Sequence, residues 1–437
     1  MAPGKSLPME NENRLPLRWI IVGVSFTTLA LTYTVMYAFS VFFVALLKEF
    51  GWSRSVTAGA FSLFWLLHGV IGPFVGNLVD RWGARWVFLL GSLLLGIGLA
   101  LCSWINSWWQ LYLSFSVICA LGVGSTGWVP NTTVIQSWFE EKRGLAMGII
   151  SSGVGIGIFA CVPSIQYLIN RVGWRMTYRL MAFIIPLSIM AMAILFLKKR
   201  PRTTPSKEAQ KEPIRTAGRL SSGINEGEVL RSWTLRQAVH TRPFRILSLC
   251  FFFTSFITQS VLTHQVAFFV DQGLQALSAS YIAGLVGMVS IVGKVTWGTL
   301  SDRIGREVAY TLVVVCAICS MVLLIIFTRF PFMKIPYFYA LFFGMGYAGL
   351  ATILPLMTAD FFAGPAYGSI FGTLYFLHGL GGAFGAWFAG FLYDYVRSYV
   401  PLFVTVIVCA LLGCLTVWMA APRKVRPSAS SESGLFS

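Results

Sequence analysis

SIVGKVTWGTLSDRIGR, residues 290–306, begins as an apolar helix, carries one lysine, and closes on a polar turn of the form G-x3-D-R-x-G. The same turn stands 222 residues earlier as GNLVDRWGAR, residues 76–85. The first copy supplies Asp80, Arg81 and Arg85, and the second supplies Asp302, Arg303 and Arg306. A weaker repeat relates RGLAMGIISSGVGIG (143–157) to YGSIFGTLYFLHGLGG (367–382) at an offset of 224. Glycine and aspartate favour turns in any protein, so one copy alone says little. Two matches at nearly one offset indicate a duplicated unit.

Composition names the solvent of that unit. Of 437 residues, 56% are hydrophobic and 11% charged, with mean hydropathy +0.73. A soluble globule carries roughly 25% charged residues, so this chain belongs in a membrane. A span needs about 20 apolar residues to cross roughly 30 Å of hydrocarbon. Twelve runs qualify, near 19–46, 56–79, 86–104, 108–135, 144–168, 176–197, 245–269, 279–300, 308–327, 336–360, 366–392 and 399–420. One long polar stretch divides them six and six. The expected organisation is a cytoplasmic tail (1–18), a six-helix bundle (19–197), a cytoplasmic central loop (198–243), a second bundle (244–421) and a cytoplasmic tail (422–437). The fold class is thus an all-α membrane protein of 12 transmembrane helices, its two bundles related by a pseudo-twofold axis along the membrane normal.

The net charge of +17 would suggest nucleic acid in a soluble chain, so its distribution decides. With both termini inside, cytoplasmic segments hold 24 Lys and Arg and external loops hold 8. The excess orients the spans, and it can touch anionic lipid heads. Nucleic acid is thereby excluded as a partner. The first apolar run is too long for a cleaved signal and is expected to be retained. The eight cysteines lie in or beside apolar stretches. Cys316 and Cys319 have CxxC spacing, but no second pair or nearby histidine completes a metal site. No cofactor is implied. No nucleophile–base pair or phosphate loop points to an enzyme.

Ionisable residues deep in the spans carry the functional signal, since lysine at a helix centre costs about 2.5–3.5 kcal/mol on insertion scales. None of the 16 acids falls at mid-depth; Asp271, Asp360 and Asp394 lie at span ends. Lys294, His378, His68 and His264 are deep. Lys294 stands about 12 Å of helix rise from Asp302, far for a snorkelling side chain. A lysine facing a central cavity attracts an anion. At the repeat offsets Lys294 corresponds to Gly72 and His378 to Val154, so neither cation belongs to the shared architecture. His68 and His264 read as packed side chains. Neutral partners for an anion are Asn131 in GWVPNTTV, Tyr33 and Tyr37 on one helix face, and Tyr347.

On its two G-x3-D-R-x-G loops the chain resembles the major facilitator superfamily across nearly its whole length. That resemblance implies that Asp80, Arg81, Arg85, Asp302, Arg303 and Arg306 are gating residues, latching helices at the cytoplasmic face. KVTWG (294–298) and GTLYFLHG (372–379) resemble spans eight and eleven of monocarboxylate transporters and oxalate–formate antiporters. GWSRS (51–55), WFEEKRGLAMGI (138–149) and WTLRQAVHTRPFRIL (233–247) agree. In those families a basic residue, usually arginine, stands four residues before the glycine of span eight and binds the carboxylate; here it is Lys294 before Gly298. A second cation, a lysine in the antiporter, is His378 here. The resemblance implies aromatic cavity walls, which favours Tyr37 and Tyr347. Two permanent cations suit a dianion, whereas one lysine and a titratable histidine suit a monoanion. The expected activity is therefore secondary transport of a lactate-, pyruvate- or formate-like anion with a proton, in the cell membrane. Lys294 would bind the carboxylate, and His378 or Lys294 would carry the proton. Exchange of the oxalate–formate type is the alternative, and a receptor or channel on the same scaffold is less favoured.

Overall fold

The structure is a computed structural model that describes residues 15–139, 143–197, 233–362 and 366–420, without the side chains of 15–17, 80, 136, 137, 143 and 144. Most of the expected tails, residues 198–232 of the central loop, and the Asp80 carboxylate lie outside the described residues.

Hydrocarbon offers no partner to a backbone amide, so a spanning segment must satisfy its hydrogen bonds internally, and the helix does so. The first span is α1 (Leu15–Tyr37) continued by α2 (Phe39–Phe50) past a break at Ala38. The second and third are α3 (Arg54–Trp82) and α4 (Ala84–Cys102). The fourth comprises α5 (Trp108–Leu111), a π-wound stretch Tyr112–Cys119, α6 (Ala120–Thr126) and α7 (Trp128–Trp138). The fifth begins as α8 (Arg143–Ile156), passes a second π-wound stretch, Gly157–Cys161, and enters α9 (Val162–Phe196). A short α10 (Leu235–Val239) leads into α11 (Arg242–Asp271), followed by α12 (Ala276–Ile304), α13 (Arg306–Arg329), α14 (Ile335–Phe362), α15 (Tyr367–Val396) and α16 (Val400–Ala420).

Ten stretches among the described residues are long and apolar enough to cross a membrane by themselves. The stretch Leu145–Phe196 holds two crossings, because α9 reverses at Gly173 (φ 81°, ψ 160°). The helix α15 is 30 residues long, with seven glycines diluting its hydropathy; it supplies the eleventh crossing. Twelve crossings result, as the sequence predicts, the fifth and sixth meeting at the Gly173 bend.

The duplication is written in the backbone. Six described residues have positive φ: Gly51, Gly83, Gly173, Gly273, Gly305 and Arg397. They fall into three pairs at the repeat offsets, 51 with 273, 83 with 305, and 173 with 397. The two glycines of the repeated loops match closely, with φ 85° and ψ 151° at Gly83 and φ 90° and ψ 156° at Gly305. That region is open essentially to glycine alone, which explains the final G of G-x3-D-R-x-G. The helices α3 and α12 are each 29 residues long and end on corresponding residues.

Two long seams, and a shorter contact of α2 with α11, join the halves. The helix α3 lies along α15, and α12 lies along α8, the Gly157–Cys161 stretch and the start of α9. Small residues permit the approach. A Cβ on Gly390 would stand 2.6 Å from the carbonyl oxygen of Arg54, and one on Gly287 would stand 2.6 Å from Cβ of Ile158.

Candidate functional site

Midway along the seams, basic and aromatic side chains from five helices form a belt. Lys294 of α12 holds its Nζ 5.8 Å from the ring centroid of Tyr347 on α14. The Tyr347 hydroxyl hydrogen-bonds that of Tyr37 on α1 at 2.9 Å, joining the two halves. Tyr37 stacks on Tyr33 at 6.3 Å, and Tyr33 meets His68 of α3 edge-on at 6.4 Å. His68 contacts Trp65 at 5.7 Å, and Trp65 meets His378 of α15 across the halves at 6.0 Å. Tyr375 stacks on His378 at 5.3 Å. Of the expected site residues, Lys294, His378, Tyr33, Tyr37 and Tyr347 therefore come together.

Lys294 is half-buried and has no carboxylate within ion-pair distance and no hydrogen bond among the described residues. Trp65 Nε1, His68 Nδ1 and His378 Nδ1 are likewise buried without a partner there. A cation and three polar nitrogens left unsatisfied in an apolar interior are costly, and such groups mark sites that meet a polar ligand. Trp65, His68 and Tyr375 went unread as site residues. The available signal was the i, i+3 spacing of Trp65–His68 and of Tyr375–His378 on facing spans.

Asn131 lies apart from this belt in its bonding. It is fully buried, and its amide donates to the carbonyl oxygens of Thr126 (2.9 Å) and Gly127 (2.7 Å). The Thr126 carbonyl lacks a helical amide because Pro130 has no N–H, and it also accepts the Thr32 hydroxyl at 3.4 Å. The Gly127 carbonyl also accepts the Asn131 backbone amide at 3.4 Å, so both side-chain amide hydrogens serve the backbone of its own span. Its Oδ1 has no partner among the described residues.

At one end of the molecule lie the repeated loops. Arg306 is 4% exposed; its guanidinium donates to Asp360 (3.0 Å), Asp302 (2.9 Å) and the Ser301 hydroxyl (2.5 Å). It thereby ties α12, α13 and α14 together within the second half. Arg81 and Arg303 are exposed and Arg85 is half-buried.

At the other end, Arg54 fastens the halves together. Its Nη2 donates to Asp271 at the end of α11 (2.8 Å), its Nη1 to the hydroxyl of Tyr399, and its guanidinium lies 3.6 Å over the Tyr393 ring. Asp394 of α15 accepts from the backbone amides of Arg54 (2.9 Å) and Ser55 (2.8 Å), capping α3 from the opposite half. Behind them His264 sits between the Tyr399 hydroxyl and the Ala386 carbonyl oxygen, 3.0 Å from each. Within the first half, Arg175 pairs with Glu49. GWSRS and the acids at span ends drew attention to these positions, but no pattern in the sequence joined them.

A family model described as the Major Facilitator Superfamily matches residues 25–354. Monocarboxylate transporter 12 of Mus musculus is 27% identical over 404 residues, covering 88% of this chain and 82% of the relative. Monocarboxylate transporter 2 of Homo sapiens is 24% identical, with 92% and 84% covered. Among solved structures, a bacterial homolog of the human lysosomal transporter Spinster, inward-facing and unoccupied, superposes with TM-score 0.72 at 15% identity, covering 95% of this chain and 99% of that one. A D-xylose–proton symporter gives TM-score 0.70 at 17% identity, with 94% and 98% covered. The chain belongs to the major facilitator superfamily and is a multi-pass membrane transporter.

Proposed function

We propose that this transporter carries a small monocarboxylate of the lactate, pyruvate or formate kind together with a proton, by alternating access between the bundles 19–197 and 244–421. The observation that carries the reading is Lys294, a cation at mid-depth with no anionic partner among the described residues. A carboxylate entering the belt would gain a charge-assisted hydrogen bond from Lys294 and neutral ones from Tyr37 and Tyr347. Tyr33 completes the wall, and Asn131 braces it. His378, beside Trp65, takes the coupled proton, with Lys294 as the other candidate. The basic excess puts the repeated loops and both termini in the cytoplasm, in a cell membrane. The Arg54 latch is then the outer gate, closed here. Asp80, Arg81, Arg85, Asp302, Arg303 and Arg306 form the inner gate.

The test is uptake of labelled lactate, pyruvate, formate and oxalate into proteoliposomes, with and without an inward proton gradient. We expect gradient-driven uptake of monocarboxylates. Lys294→Ala should cut it more than tenfold, matching the roughly 1.5–3 kcal/mol of a hydrogen bond to a charged group. Normal uptake by Lys294→Ala would refute the anion site. One observation favours exchange of the oxalate–formate type: the three unsatisfied nitrogens at the His378 end suit a second anionic group. Oxalate uptake that requires internal formate and ignores the proton gradient would decide for it.

A further inference from the structure

The duplication makes the outer latch lopsided. At the repeat offsets Glu49 corresponds to Asp271, and Arg175 corresponds to Tyr399. In the first half the acid and the arginine pair with each other. In the second half a tyrosine stands where the arginine would be, and Asp271 takes its cation from Arg54 across the seam. Tyr399 thereby links Arg54 to His264.

The direction of each hydrogen bond follows from the ends of this chain. A carbonyl oxygen can only accept, so the His264 nitrogen facing Ala386, Nε2, carries a hydrogen. In the neutral ring Nδ1 is then an acceptor. Tyr399 donates its hydroxyl hydrogen to Nδ1 and accepts from Arg54, and every donor meets an acceptor. A protonated His264 donates at both nitrogens. The Tyr399 oxygen would then face two cationic donors, Arg54 and His264. Its own hydrogen would lose its acceptor in a place where the ring is 4% exposed.

We propose that His264 is the proton-sensitive catch of the outer gate: the neutral imidazole completes the closed latch, and the protonated one undoes it. The charged and titratable groups around it are consistent with this. Its own helix, α11, brings Asp271; α13 brings Arg329; α15 brings Tyr393 and Asp394; the turn before α16 brings Arg397 and Tyr399; and α3 brings Arg54. The helix α2 offers the Phe43 ring at 4.9 Å, with Lys48 and Glu49 near its end, and α14 offers Tyr339, bonded to Gln265. Of these, Arg54 repels a positive charge on His264 most directly, since both bond the same hydroxyl. His264 is 1% exposed when the latch is closed, so the proton binds the open conformer and holds it open. By linkage, acid favours the outward-open state by up to about tenfold in the open-to-closed ratio per pH unit. The inference rests on the orientation proposed above. Its direction suits a carrier that must present an empty site to an acidic exterior.

The experiment uses the full chain with its native cysteines replaced by serine, verified for folding and reconstitution, and nitroxide labels on Lys48→Cys and Tyr395→Cys. Both positions are exposed and lie on opposite halves at the latch end. Label-to-label distance distributions are recorded in lipid from about pH 8 to pH 5, where histidine titrates. The parent should shift toward longer distances on acidification. His264→Gln offers the same acceptor and donor but cannot take the proton, and should stay closed throughout. Tyr399→Phe keeps the ring, cuts the link, and should also lose the pH response. An unchanged response in His264→Gln or in Tyr399→Phe overturns the proposal, as does a parent that ignores pH. Uptake in the same preparations separates the two readings. A parent whose gate responds to pH but which takes up no monocarboxylate sinks the substrate assignment alone.

Discussion

Lys294 holds a point charge on a flexible stem where the resemblance to monocarboxylate transporters implies an arginine. A guanidinium grips both carboxylate oxygens and cannot release its proton, whereas an ammonium does neither. Lys294→Arg should therefore keep proton-driven uptake, with KM for the monocarboxylate falling by up to about tenfold for one added charge-assisted hydrogen bond. Uptake that persists but no longer follows the proton gradient would assign the coupled proton to Lys294 instead of His378. At this scale the sequence was readable where chemistry contrasts with its surroundings. Lys294 and His378 stand out in apolar helices, and the tyrosines flank them. Trp65, Tyr375 and His264 were not readable, because an aromatic or neutral ring in an apolar helix looks like packing. They matter only through neighbours on other spans, as when Trp65 meets His378 at 6.0 Å.

Glycine sets what the helices can do. Gly305 turns the chain at φ 90° and ψ 156° between α12 and α13. Gly305→Ala should cost about 1–3 kcal/mol of strain, seen as a lower melting temperature in detergent and a smaller folded yield. Gly390 acts between helices. Gly390→Ala would drive a methyl group to 2.6 Å from the Arg54 carbonyl oxygen and 2.8 Å from the Ser55 nitrogen. The helices α3 and α15 must then part at the latch end. Uptake should fall about tenfold, the scale of mild overpacking, while the protein remains folded; unimpaired uptake would show that this contact is dispensable. The repeated loops and the number of spans were legible because hydropathy and a 222-residue offset both report on them. The π-wound stretches Tyr112–Cys119 and Gly157–Cys161 were not, since one extra residue per turn leaves hydropathy unchanged.

At the scale of the molecule, two halves close against each other through contacts between residues far apart in the chain. Arg54 reaches partners 217 and 345 positions away, and nothing local in the sequence pairs them. Arg54→Ala leaves Asp271 without its cation in a partly buried place, a change worth several kcal/mol. The open population in the distance measurement described above should rise at least tenfold; an unmoved distribution would show that the latch does not set the gate. Tyr399→Arg restores the first-half arrangement in the second half. It should hand Asp271 a partner of its own and loosen the gate in the same sense.

Because Asp271 finds a guanidinium by shutting its end of the molecule, while Arg306 is satisfied inside its own half, the idle carrier behaves as a valve that rests shut at the Arg54 end, the outer one in the orientation we propose. Reopening that valve empty is then the slow stroke of the cycle, as conformational steps limit many turnover rates. Liposomes preloaded with unlabelled substrate let each carrier reopen loaded, and labelled substrate should enter them faster than it enters empty ones.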